Sequence, residues 1–213
     1  MAQEWIDISV PVYDGMVHWA GDPAVRMGRF ASIATGAPCN VSKIDMSAHT
    51  GTHMDGPIHF MPNGAGLETL PLEAVIGPCR VIEIHNKVAV TVEDLLPHKL
   101  QRGERILLKT PNSTKSWAMA PTFDKDFVYI SKEAAKHIAD SGVRTIGIDY
   151  LSVGGFYKDA VETHQALLSV PVWIIEGINL AHITPGDYDL ICLPVKFSNT
   201  ADGAPARAVL RKR

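Results

Sequence analysis

Seventeen glycines and fourteen prolines are spread along this 213-residue chain, a punctuation that breaks long helices and suits many short strands joined by tight turns. Runs of strand character lie between them at Glu4 to Val10, Val41 to Ala48, Cys79 to Ile84, Arg105 to Lys109, Phe127 to Ile130, Thr145 to Asp149, Val170 to Glu176, Leu190 to Lys196 and Ala206 to Arg211. Two helices interrupt the series. The first, Ser131 to Ser141, has Ser131 as N-cap, Glu133 in its first turn, Ala134, Ala135 and Ile138 on one side, and Gly142 as terminator. The second, Ala160 to Leu168, has Asp159 as its expected cap and Glu162 where a reciprocal capping carboxylate belongs. Strands mixed with two helices, rather than strictly alternating with them, predict an α+β fold over a doubly wound sheet. With 46% hydrophobic residues, one domain spanning 1–213 is expected.

Twenty Lys and Arg oppose twenty-three Asp and Glu, and neither sign gathers into a block, so nucleic acid is not an expected partner. The segment Met1-Ala2-Gln3-Glu4-Trp5-Ile6-Asp7 carries acids where a signal peptide needs a basic stretch followed by an apolar one. No apolar run approaches the ~20 residues of a membrane span; the densest, Val170 to Ile175, contains Pro171. A soluble protein without membrane association is expected. Cys39, Cys79 and Cys192 are widely spaced and form no CxxC pair, which points to a reducing compartment, the cytoplasm.

The chemistry concentrates in Ser47-Ala48-His49-Thr50-Gly51-Thr52-His53-Met54-Asp55-Gly56-Pro57-Ile58-His59-Phe60. Gly51, Gly56 and Pro57 exclude a continuous helix. His49, His53, Asp55 and His59 all have odd numbers, so in extended backbone they project to one side, and a glycine bend between them lets the side chains converge. Imidazole with carboxylate suits zinc, manganese or iron(II), whereas magnesium or calcium would call for more oxygen. The bland alternative is a loop with solvent-facing histidines.

Glu176 closes the apolar run Val170 to Ile175, and a carboxylate at the end of a buried strand costs several kcal/mol unless something positive meets it. A bound cation is the simplest compensation; a distant arginine is the alternative. His164 has Ala160, Val161, Leu167 and Leu168 at helical neighbour positions and so faces inward, as a ligand or as a hydrogen-bonded core residue. Trp19 stands in a Gly/Pro turn region, His18 to Pro23, where it can stack on a planar substrate or simply pack. Asp149 ends the strand Thr145 to Asp149, where it could border the site or serve as a routine turn residue. GxGxxG, GxxxxGK and GxSxG sequences are all missing, which removes the commonest nucleotide-binding and serine-hydrolase readings.

The run from His49 to Phe60 matches an HxGTHxDxPxHF signature at every fixed position, and on it the chain resembles the cyclase family of metal hydrolases, which includes bacterial kynurenine formamidase and isatin hydrolase. Trp19-Ala20-Gly21-Asp22, His164 ahead of Glu176, and the ending Leu193-Pro194-Val195-Lys196 followed by Ala206 to Arg211 add to the resemblance, which covers nearly the whole chain. It implies a swivelling β/β/α domain, usually assembled as a homodimer or homotetramer. It implies two zinc ions, with manganese as another option. His49, His53 and Asp55 would hold the first, and Asp55 would bridge to a second held by His164 and Glu176. His59 would be the proton donor and acceptor, and Trp19 would contact a small-molecule substrate. The reaction implied is hydrolysis of an amide, N-formylkynurenine first. The alternatives are another amide such as isatin, a lyase or cyclase reaction with His59 as base, or a closed structural metal site. One departure is Ser152-Val153-Gly154-Gly155-Phe156-Tyr157, where many formamidases carry an acidic residue and proline after the serine.

Overall fold

The computed structural model describes residues 4–115, 117–170, 172–198 and 200–213. Met1 to Gln3 of the N-terminal reading and Pro171 of the expected Val170 to Glu176 strand lie outside the described residues. The strands are β1 (Ile6–Asp7), β2 (Arg26–Ala31), β3 (Val41–Asp45), β4 (His53–Asp55), β5 (Ile76–Glu83), β6 (Ala89–Val90), β7 (Arg105–Lys109), β8 (Tyr129–Ile130), β9 (Thr145–Ile148), β10 (Trp173–Glu176), β11 (Gly186–Pro194) and β12 (Gly203–Lys212). The α-helices are α1 (Leu72–Val75), α2 (Val92–Leu95), α3 (Lys132–Asp140) and α4 (Ala160–Leu168). Among the described residues no helix is long and apolar enough to cross a membrane.

The main sheet closes on itself in the order β4-β12-β11-β5-β7-β9-β10 and back to β4, with β1 appended to β12. Neighbours from β5 to β10 are parallel, and the other pairs in the ring are antiparallel. The expected α+β class holds, although β7, α3, β9, α4 and β10 do alternate strictly along one side of the barrel.

Register explains the layers. Val81, Leu107, Gly147, Ile175, Met54 and Ala204 pair in sequence around the ring, and the side chains of this row join one buried cluster that fills the interior. Their neighbours one residue along point outward, and Ile82, Ile106, Ile146 and Ile174 pack beneath Ala135, Ile138 and Leu167 of α3 and α4. A third, aromatic-rich cluster around Trp117, Phe127 and Tyr150 sits against Val10 and Met16.

Ser131 caps α3 as expected, its side chain accepting from the Ala134 amide. Asp159 does not cap α4: it lies in the left-handed region at φ 60, with no side-chain cap bond. Its carboxylate accepts instead from the Lys132 amide, 3.3 Å away, at the first turn of α3, so the expected capping box of Asp159 and Glu162 is not formed. Strands β2, β4 and β6 were not expected from sequence. The β2–β3 ribbon leaves Phe30 and Ile44 exposed, so its apolar residues mark no buried face.

Candidate metal centre

Met54 points into the barrel, so His53 and Asp55 on either side of it point out, and β10 lays Glu176 directly beside His53 in the antiparallel register. Helix α4 covers this patch and turns His164 onto it, as expected. Parity thus explains His53 and Asp55 but neither of the other two odd-numbered residues. His49 arrives from a turn, and His59 from the 3-10 segment Pro57–His59 that Pro57 initiates. The bend expected at glycine is real, with Gly51 at φ +64.

All five residues expected to surround an ion come together. His49 Nδ1 lies 3.0 Å from Asp55 Oδ1. His53 Nε2 lies 3.5 Å from Asp55 Oδ1 and 3.1 Å from Glu176 Oε2. His164 Nε2 lies 3.7 Å from Asp55 Oδ2 and 3.3 Å from Glu176 Oε1. Two donors each ~2.0–2.1 Å from one tetrahedral ion stand about 3.4 Å apart, so these separations suit shared ions. His53, Asp55 and Glu176 form one compact donor group, and His49, Asp55 and His59 form another, with Asp55 common to both.

The imidazoles are oriented from behind. His53 donates Nδ1–H to the Gly51 carbonyl at 2.9 Å, and His164 donates Nδ1–H to the Ala160 carbonyl at 2.6 Å. Each ring therefore turns the lone pair of Nε2 toward carboxylates, an arrangement that repels unless a cation stands between. His53 Nε2 and Asp55 Oδ2 are buried without a hydrogen-bond partner. Among the described residues no lysine or arginine pairs with Asp55 or Glu176, the only ion-pair partners being histidines.

The field of this cluster is legible in its titration. Burial opposes charge on Asp55, but the hydrogen bond and charge of His49 hold its carboxyl well below the usual range. Burial and the Asp55 charge push Glu176 up, and the His164 and His53 contacts outweigh them and bring it down. Burial resists protonation of His49, yet Asp55 pushes it up to about 9, and Glu176 raises His164 against the same resistance. Without an ion, protons do the neutralising; a bound cation displaces them. His59 moves the other way, lowered chiefly by burial, and its half-buried ring stacks on His49 at 3.9 Å.

Gly177 is a position only glycine can fill: φ is +68, and an added Cβ would run into the Gly51 carbonyl, the same carbonyl that orients His53.

The segment departing from the formamidase pattern begins at the cluster. The Val153 amide donates to Glu176 Oε1 at 2.6 Å, and a Cβ on Gly154 would sit 2.8 Å from the Ala160 backbone of α4. Three residues on, at most ~11 Å along an extended chain, Phe156 meets Trp19 with ring centroids 5.5 Å apart. Trp19 also packs edge-on against Phe123 at 5.2 Å. Its loop is tied toward His49 through Ser47, which donates to Asp22 and accepts from the His49 amide. Trp19 is half-buried in an aromatic group rather than free to stack alone.

Asp149 organises the carboxyl ends of β7 and β9. It accepts from the Thr110 amide and hydroxyl at 2.8 and 2.7 Å and from the Ser113 amide and hydroxyl. Burial raises its carboxyl to about 6, despite the lowering by Ser113 and Thr110. An unfolded aspartate titrates near about 3.9. The protonated side chain is favoured in the fold, so its stabilisation is complete below ~4 and is lost as pH rises through 6. The stability of the protein relative to Asp149→Asn should therefore fall by on the order of 2–3 kcal/mol between pH 4 and 7. Urea unfolding across that range checks this; parallel curves would contradict it.

Nitrogen and oxygen donors, buried together and spaced to share an ion, make this cluster a candidate divalent-metal centre. The sequence profile of the Cyclase family matches residues 6–154. A kynurenine formamidase from Geobacillus thermodenitrificans is 37% identical over 212 residues, covering 100% of this chain and 99% of the relative. The solved structure of a predicted metal-dependent hydrolase from Bacillus stearothermophilus superposes with a TM-score of 0.85 at 32% identity, covering 100% of both chains. Isatin hydrolase A from Labrenzia aggregata, 19% identical over 98% of this chain and 93% of its own, shares the fold with a TM-score of 0.82. The chain belongs to the Cyclase family.

Proposed function

We propose that the protein is a metal-dependent amide hydrolase that converts N-formylkynurenine to kynurenine and formate in tryptophan catabolism. The observation that carries the metal part is a pair of buried atoms without a hydrogen-bond partner, His53 Nε2, 3.1 Å from Glu176 Oε2, and Asp55 Oδ2, 3.7 Å from His164 Nε2. The substrate is supported by the relatives' shared name at 37% and 35% identity over nearly the full chain.

His49, His53 and Asp55 would hold one zinc, and Asp55, His164 and Glu176 a second; manganese suits the same donors. When bound, a divalent ion would supply a water acidified toward neutrality and a polarised amide carbonyl. The chain supplies the rest. His59, neutral because burial lowers it, accepts a proton and returns it to the leaving arylamine nitrogen. Trp19 and Phe156 pack the aryl ring. The apolar side chains exposed on the β2–β3 ribbon support a homodimer or homotetramer, and the three free cysteines support a cytoplasmic setting.

Metal analysis of protein purified without added metal, coupled to an N-formylkynurenine assay, tests both parts. About two equivalents of zinc or manganese and turnover that chelation abolishes are expected; bound metal with no turnover would overturn the substrate. The Gly154-Gly155-Phe156 segment favours a second reading, a cyclic aryl amide such as isatin at the same centre, and a substrate panel separates the two.

A further inference from the structure

A residue absent from the signature touches the centre from 153 positions away. Asp202 Oδ2 lies 3.3 Å from His49 Nε2. Three features fix it there. The Asp202 carbonyl accepts from the Gly56 amide at 2.7 Å, directly after Asp55. Its Oδ1 accepts from the Gly203 amide at 3.1 Å, which leaves Oδ2 for the imidazole. Gly203 pairs with Asp55 at the start of β12, and any Cβ there would fall 2.5 Å from the His49 ring, so glycine lets the ring lie flat over the strand end.

We propose that Asp202 is a positioning residue for the metal centre: it accepts Nε2–H from His49 and so fixes the tautomer whose Nδ1 lone pair faces Asp55 and the shared ion. Where the carboxylate or carbonyl behind a ligand histidine is known to matter, it orients the ring and raises its basicity, and its loss weakens metal binding about 10–100-fold. The other two histidines obtain this service from the Gly51 and Ala160 carbonyls. No backbone carbonyl bonds the outer nitrogen of His49 among the described residues, and Asp202 fills that role.

The inference rests on the metal-centre reading, and the test separates the two. Zinc affinity is measured by competition with a chromophoric chelator for wild type, Asp202→Ala and Asp202→Asn, beside thermal unfolding of each metal-free protein. Asp202→Ala should bind zinc about 10–100-fold more weakly with unchanged metal-free unfolding. Asp202→Asn, whose amide oxygen still accepts Nε2–H, should recover most of the loss. In the imidazole nitrogen NMR spectrum of the metal-free protein at alkaline pH, His49 should carry its proton on Nε2 in wild type and lose that preference in Asp202→Ala. Equal affinities in all three, or an unchanged His49 tautomer, would overturn the role of Asp202 while leaving the centre intact. A wild type that binds no zinc would overturn the centre itself.

Discussion

Asp55→Asn should empty the centre, abolish turnover and leave the metal-free protein less stable than wild type near neutral pH. Asp55 is the one donor common to both compact groups, so an amide there weakens every ion the cluster can share. A thousandfold loss of rate corresponds to about 4 kcal/mol of transition-state stabilisation. The stability half of the result follows from electrostatics. In the absence of an ion the histidine contacts outweigh burial and hold both carboxyls below their usual range, so the fold favours the charged Asp55. Removing that carboxylate leaves the His49 imidazolium without its buried partner, so the metal-free variant loses stability near neutral pH, and the loss fades as the pH falls through the carboxylate range. Wild type should then be stabilised by added zinc through mass action and the variant should not. Retention of both metal and turnover in Asp55→Asn would end the metal-centre reading.

His59→Ala should behave in the opposite way, keeping metal and losing turnover by about 10²–10⁴-fold. The ring sits beside His49 rather than behind a carboxylate, and burial keeps it neutral and ready to accept a proton near pH 7. The geometry also gives the competing outcome. His59 falls within the donor group of His49 and Asp55, so it is near enough to serve as a ligand. Metal content measured alongside kcat decides between them: joint loss makes His59 a ligand and removes it as the proton carrier.

The candidate donor cluster was legible because its residue types are rare together and because alternation in a strand is a strong rule. His53 and Asp55 obey it across Met54, and Glu176 at the end of an apolar run had to meet something positive. Asp202 was not legible, since no local pattern distinguishes Asp202-Gly203 from an ordinary turn and its partner lies 153 positions away. Barrel closure escaped for a related reason. The strand that closes it, β4, has three residues, two of them polar, and draws its stability from flanking β10 and β12 rather than from its own propensity. For α4 the helical periodicity gave the span correctly, but the cap depended on Asp159, whose backbone lies in the left-handed region and whose carboxylate is engaged by the Lys132 amide of α3.

The closure at β4 bears on the order in which the molecule assembles. Strand β4 bonds to β10 and β12, both more than a hundred residues downstream, and loop-closure entropy makes such long-range pairings late and slow. Donors on β4 and β10 meet only after that final seam has zipped. A bound divalent ion would accordingly act as a lock applied to a finished ring: it should slow the unfolding arm of a chevron plot and leave the refolding arm where it was.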